Sequence, residues 1–211
     1  MTNEEIYSHV DYTLLKPFAT WEDIVKLVER AISLKTASVC VPPSYVKRIH
    51  DMYEGRVKIC TVIGFPLGYS VTESKLTEAR EAIKDGADEI DMVINIADLK
   101  NGDYFKVENE IRSIKEVCQE KILKVIVETC YLNEEEKIRL SRTVTNAGAD
   151  YIKTSTGFGT KGADLEDIKI FKENIGPNVK IKAAGAIRER EAMINFINAG
   201  ADRIGASNLE F

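Results

Sequence analysis

The chain has 211 residues, 44% of them hydrophobic and 30% charged, with a formal net charge of −5. That length allows one domain with a substantial core, and α/β barrels commonly reach it as a single unit. The acidic balance argues against nucleic acid as a partner, and no apolar run approaches a membrane span. Met1-Thr2-Asn3-Glu4-Glu5 lacks the basic start of a signal peptide, so a soluble cytoplasmic protein is expected.

In chain order, short β-rich runs predict strands near residues 9–14, 37–41, 57–63, 88–94, 123–129, 150–154, 179–183 and 202–206. Amphipathic stretches near 21–34, 43–52, 72–85, 103–119, 133–147, 163–174 and 188–198 fill the gaps between them. One phrase recurs: Asp85-Gly86-Ala87-Asp88, Ala147-Gly148-Ala149-Asp150 and Ala199-Gly200-Ala201-Asp202. Each time a helical stretch ends at glycine and a strand follows at once, which points to a repeated βα unit. Strands and helices alternating in this way predict a closed (β/α)8 TIM barrel forming a single domain over residues 1–211. An open doubly wound sheet is the alternative, because periodicity does not reveal closure. Only Leu209-Glu210-Phe211 follow the last run, so the final helix is expected to be missing or vestigial.

Cys40, Cys60, Cys118 and Cys130 are scattered with no C-x-x-C pair, and the only histidines are His9 and His50. They read as reduced, mostly buried thiols, and neither a metal nor an organic cofactor is expected.

An active site in such a barrel sits at the C-terminal ends of the strands. The candidates there are Asp11, Cys40, Asp91 with Asn95, Glu128, Lys153, Lys182 and Ser207. Lys153 runs into Thr154-Ser155-Thr156-Gly157, small residues that leave room for a substrate, with Thr156 and Gly157 facing it. An ordinary lysine is neutral in only about four parts in ten thousand at pH 7, and raising that to half takes about 4–5 kcal/mol. A second ammonium and partial desolvation supply such an amount, and a neutral amine attacks carbonyls to form a Schiff base. Lys182 shares its parity with Lys180 but lies nearer the Gly185 turn, so Lys180 is read as structural. Asp91 reads either as a proton relay or as a charge-balancing partner for the lysines, and Asp11 is split the same way. Gly185-Ala186-Ile187-Arg188 and Gly205-Ala206-Ser207-Asn208 follow the last two strands, where barrels often hold a phosphate.

Taken together, Asp11–Pro17, Val39–Pro43, Gly64–Gly68, Glu89–Asn95, Ile152–Gly157, Ile181–Gly185 and Arg203–Ser207 resemble the deoxyribose-phosphate aldolases, a family of class I aldolases. The resemblance implies a (β/α)8 barrel that reversibly cleaves 2-deoxy-D-ribose 5-phosphate to glyceraldehyde 3-phosphate and acetaldehyde. By it Lys153 matches the Schiff-base lysine, Lys182 the second lysine, Asp91 the proton-moving aspartate and Asp11 an early aspartate of the same network. Gly185, Ala186, Gly205, Ser207 and Asn208 match the phosphate turns. Departures are visible: Ala186 replaces a glycine, Tyr12 replaces a frequent histidine, Asn208 replaces a serine, and the tail is short. Barrels of this kind commonly self-associate, so a dimer or tetramer is an open expectation. Two rival readings are a sugar-phosphate isomerase with Glu128 as base, and a non-catalytic barrel that binds a phosphorylated sugar.

Overall fold

The computed structural model describes residues 1–211 and shows eight parallel strands closed in sequence order. The strands are β1 (Val10–Thr13), β2 (Ser38–Val41), β3 (Ile59–Ile63), β4 (Glu89–Val93), β5 (Ile122–Ile126), β6 (Tyr151–Lys153), β7 (Lys180–Ala184) and β8 (Arg203–Ala206). Around them run α1 (Asn3–Tyr7), α2 (Trp21–Leu34), α3 (Val46–Tyr53), α4 (Thr72–Lys84), α5 (Ile96–Lys100), α6 (Tyr104–Cys118), α7 (Glu134–Asn146), α8 (Leu165–Asn174) and α9 (Arg190–Ala199). β1 pairs with both β2 and β8, which closes the sheet into a (β/α)8 barrel and excludes the open alternative. No helix is long and apolar enough to cross a membrane.

Helix starts follow local chemistry. Thr20 and Asp23 form a capping box at α2, and Asn133 and Glu136 do so at α7, each satisfying orphan N–H groups of the first turn. The helices α1 and α5, of five residues each, carry too little periodicity to be legible beforehand.

The recurring Gly-Ala-Asp phrase has one physical job. Gly86, Gly148 and Gly200 take positive φ (104°, 77° and 121°) to end a helix, a conformation costly for other residues. Two residues later the aspartate carboxylate accepts the N–H at the start of the neighbouring strand. Asp88 accepts from Ile59 at 3.0 Å, Asp150 from Leu123 at 2.8 Å and Asp202 from Ile181 at 2.9 Å. The repeat therefore fixes both the αβ turn and the strand register at the barrel's lower rim.

Outward strand residues such as Ile90, Met92, Val125 and Ile152 join the helices in one continuous apolar layer. The inward face is different: Asp11, Ser38, Glu89, Asp91, Lys124, Lys153, Lys182 and Arg203 put polar or charged groups into the barrel from every strand but β3, which presents Cys60 and Val62. Residues after β8 form no helix, as expected, but Leu209 is buried and the Phe211 ring stacks on Tyr7 at 5.6 Å.

Candidate active site

Strand alternation sends Glu89 and Asp91 of β4 into the barrel, and the same geometry delivers Asp11, Lys124, Lys153, Lys182 and Arg203 from their strands. Register partners meet directly: Lys153 lies beside Lys182, Asp91 beside Lys124, and Lys182 beside Arg203.

Asp91 is the hub. Its Oδ2 accepts from Lys153 Nζ and from Lys182 Nζ, each at 2.7 Å, while its Oδ1 accepts from Lys124 Nζ at 2.8 Å and Cys60 Sγ at 3.1 Å. Two ammonium groups on one oxygen lie at most twice that bond length apart, about 5.4 Å. Beneath this layer Lys182 Nζ reaches Asp11 Oδ2 at 2.5 Å, and Lys124 Nζ reaches Glu89 Oε2 at 2.6 Å. Arg203 completes the floor by donating to Asp11 and, at 3.2 Å, to Glu89; Ser38 donates to Asp11 at 2.6 Å.

Burial alone would push Asp11 and Asp91 toward their neutral forms. The surrounding ammonium groups, with Arg203 at Asp11, outweigh it and hold both carboxyls below the ordinary range. Burial likewise opposes charge on Lys124 and Lys182, but the carboxylates win and both stay protonated above the ordinary lysine range. Four basic side chains (Lys124, Lys153, Lys182, Arg203) thus face three carboxylates (Asp11, Glu89, Asp91) in the barrel interior. Lys153 is the one of them at the open end, bordering the cleft.

That cleft has a volume of about 240 Å³, small and suited to a small metabolite. Lys153, Thr156, Gly157, Gly185, Ala186, Gly205 and Ser207 line it, and Lys16 and Arg188 bring positive charge to the same lining. Gly185 and Ala186 have φ of +87° and +59°, so the position where this chain carries alanine does demand the left-handed conformation.

Other expected residues fall elsewhere. Asp11, Asp91 and Lys182 are fully buried behind Lys153 and do not line the cleft. Cys40 is also buried, faces Cys60 across the β2–β3 pair and is not among the residues that line the cleft. Asn208 is exposed off the cleft, its Oδ1 accepting from Glu210 N at 3.2 Å. Asn95 caps α5, and Lys180 sits exposed at the start of β7. Glu128 lies beyond the end of β5 in a left-handed conformation (φ 54°). Its carboxylate is held by Thr156, through the backbone N–H at 3.1 Å and the hydroxyl.

Two residue sets have metal-ligand spacing: Cys40, Cys60 and Asp91, and Asp11, Cys60 and Glu89. The carboxylates of both sets are already bonded by lysine or arginine, and those charges oppose a metal cation. The sequence pattern gives no site role to Lys124, Arg203, Cys60, Glu89 or Lys16, although all but Lys16 bond within the cluster. A lysine within Ile122-Leu123-Lys124-Val125-Ile126 was a usable signal, since an isolated charge in a buried strand needs a partner.

Comparison with known proteins agrees with this geometry. Residues 7–207 match the model of the DeoC/LacD family aldolases. The chain is 62% identical over 207 residues to deoxyribose-phosphate aldolase of Clostridium botulinum (strain Alaska E43 / Type E3), covering 98% of this chain and 94% of that protein. It is 55% identical over 206 residues to the protein of the same name from Clostridioides difficile (strain 630), again covering 98% and 94%. Among solved structures, a deoxyribose phosphate aldolase from Aeropyrum pernix, described as a unique tetramer, superposes with a TM-score of 0.91 at 35% identity. That match covers 98% of this chain and 88% of the other. The chain therefore belongs to the DeoC/LacD family of aldolases.

Proposed function

We propose that the chain is a class I aldolase that reversibly cleaves 2-deoxy-D-ribose 5-phosphate to glyceraldehyde 3-phosphate and acetaldehyde. The observation that carries this reading is Lys153 in the lining of the cleft, bonded to Asp91 with Lys182 on the same carboxylate oxygen.

In the cleavage direction neutral Lys153 Nζ attacks the C1 aldehyde of the open-chain sugar, and loss of water leaves an iminium. The C3 hydroxyl gives up its proton, the C2–C3 bond breaks, and its electrons flow into the iminium to form an enamine. Protonation at C2 and hydrolysis release acetaldehyde and return the amine. The iminium is the electron sink.

The cluster gives its members distinct tasks. An Asp91 held as carboxylate is a poor base, so it fixes both lysines while the proton travels through water. Lys182, held protonated, is a standing positive charge beside the reacting nitrogen. Asp11 anchors Lys182 from below. Gly185, Ala186, Gly205 and Ser207, with Lys16 and Arg188, form the wall suited to the phosphate. Thr156 and Gly157 face the sugar. The tetrameric Aeropyrum pernix relative supports self-association, and a charged sugar phosphate as substrate fits the cytoplasmic setting expected above.

Paired variants separate this reading from an isomerase. Lys153→Leu is expected to abolish turnover of deoxyribose 5-phosphate. Glu128→Gln is expected to weaken it without abolishing it, because Glu128 grips Thr156 and not the reacting atoms. The opposite pattern would favour Glu128 as an isomerase base.

A further inference from the structure

Cys60 belongs to no step above, yet it is built into the cluster. Its Sγ donates to Asp91 Oδ1 at 3.1 Å and accepts from Lys124 Nζ at 3.2 Å. Cys40 is its register partner on the adjacent parallel strand. The two sulfurs and an Asp91 oxygen all lie within 4.8 Å of one another. Neighbouring strands run about 4.8 Å apart, inside the roughly 4.4–6.8 Å Cα separation that a disulfide spans. Both thiols are fully buried, and Leu15, which lines the cleft, and Phe65 pack against them. Phe65 packs edge-on against Phe158, another cleft residue, at 5.4 Å. The thiol layer and the cleft wall thus share the Leu15 side chain.

We infer that Cys40 and Cys60 are an oxidation site, closing to a disulfide under a peroxide and disabling the lysine–aspartate cluster above them. The regulatory part rests on the aldolase reading; the disulfide itself does not.

The chemistry balances with hydrogen peroxide as the two-electron oxidant. The Cys40 thiolate attacks one peroxide oxygen, the O–O bond breaks, and hydroxide leaves behind a sulfenic acid. Cys60 sulfur then attacks the Cys40 sulfur, the S–O bond breaks, and the second hydroxide leaves. The two thiol protons convert both hydroxides to water, that of Cys60 by way of Asp91, to which it already points. The division of labour has an electrostatic basis. The close Cys60 sulfur, with Lys182 and Lys153 nearby, favours the Cys40 thiolate over burial and the opposing Asp91 charge, whereas burial, the Cys40 contact and Asp91 keep Cys60 protonated. Forming the S–S bond of about 2.05 Å draws the Cys60 sulfur toward Cys40 and away from Asp91. Asp91 then loses one donor, and the carboxylate that holds Lys153 and Lys182 is free to shift.

The test treats the purified chain with hydrogen peroxide, alkylates free thiols, and maps peptides by mass. Deoxyribose 5-phosphate cleavage and borohydride trapping of acetaldehyde are followed in parallel, each variant being compared with its own untreated sample. A linked Cys40–Cys60 peptide is expected, with activity falling at least about tenfold, the scale of losing one hydrogen bond to a carboxylate. A thiol reductant should reverse both. Cys60→Ser and, independently, Cys40→Ser should abolish the linked peptide, and Cys40→Ser the reversible part of the loss, while Cys118→Ala/Cys130→Ala should retain both. The proposal is overturned if Cys40 and Cys60 both stay alkylatable after peroxide has inactivated the chain. It is equally overturned if the link forms with no fall in activity, or if the reversible loss persists in Cys40→Ser, which removes the sulfur that peroxide attacks first. An untreated chain that neither cleaves nor traps would refute the aldolase reading, and the linked peptide would still decide the fate of the thiol pair.

Discussion

Replacing Lys124 with methionine removes one charge from the barrel interior while keeping most of the side chain's volume. Lys124 Nζ bonds Glu89 at 2.6 Å and Asp91 at 2.8 Å, so its loss leaves both carboxylates short of a partner. Removing one member of a buried ion pair costs about 3–5 kcal/mol. Lys182 and Arg203 remain and the charge excess disappears, so the lower end of that range is expected. The catalytic effect is separate. Lys124 is the foremost of the ammonium groups that hold Asp91 below the ordinary carboxylate range against burial. Without Lys124 the Asp91 carboxylate is easier to protonate, so the acidic limb of kcat/KM should move to higher pH. The assay is the pH dependence of deoxyribose 5-phosphate cleavage, with urea unfolding as a check on folding. A folded variant whose acidic limb stays in place would refute the electrostatic reasoning, whatever happens to kcat.

Two further outcomes follow from the same structure. Ala186→Gly relieves a left-handed alanine (φ 59°), a strain of roughly 1–2 kcal/mol partly offset by glycine's greater freedom when unfolded. A net gain of about 0.5–1 kcal/mol in urea unfolding and a lower KM for the phosphorylated substrate are expected, and an unchanged urea midpoint would count against the strain. The cluster also sets a pH window. Asp11 and Asp91 are held below their ordinary range, so their contribution is full above about pH 4 and is lost as pH falls. Lys124 and Lys182 are held above theirs, so their contribution is full below about pH 10 and is lost as pH rises. Asp91→Asn should therefore lose stability across the whole interval between those limits, and a loss confined to one end would contradict the pairing.

Much of the barrel was legible because its signals are local. The Gly-Ala-Asp phrase marked three αβ joints, and each expected strand lies within about three residues of its observed bounds. Closure was not legible, because the β1–β8 pairing joins opposite ends of the chain. Lys153, Lys182 and Asp91 stood out as charges in apolar strands. Their shared hydrogen bonds depend on parallel register, which places Lys153 beside Lys182 and Asp91 beside Lys124. Arg203 was hidden by its place after Asp202, where a charge at a strand's start reads as solvent-facing. Cys40 and Cys60 offered no pattern at all, since only the β2–β3 register sets them face to face. Glu128 misled because its apolar run suggested a strand reaching to the rim; the chain leaves the sheet after Ile126 and turns left-handed instead.

The central claim is that Lys153 carries the reaction. Incubating the chain with acetaldehyde and borohydride, then mapping the reduced adduct by peptide mass, tests it most directly. One ethyl group on Lys153 is predicted, absent from Lys153→Leu and reduced in Lys182→Met, where the neighbouring charge is lost. A chain that cleaves deoxyribose 5-phosphate yet traps nothing on Lys153, or traps acetaldehyde on Lys182 instead, would contradict the account.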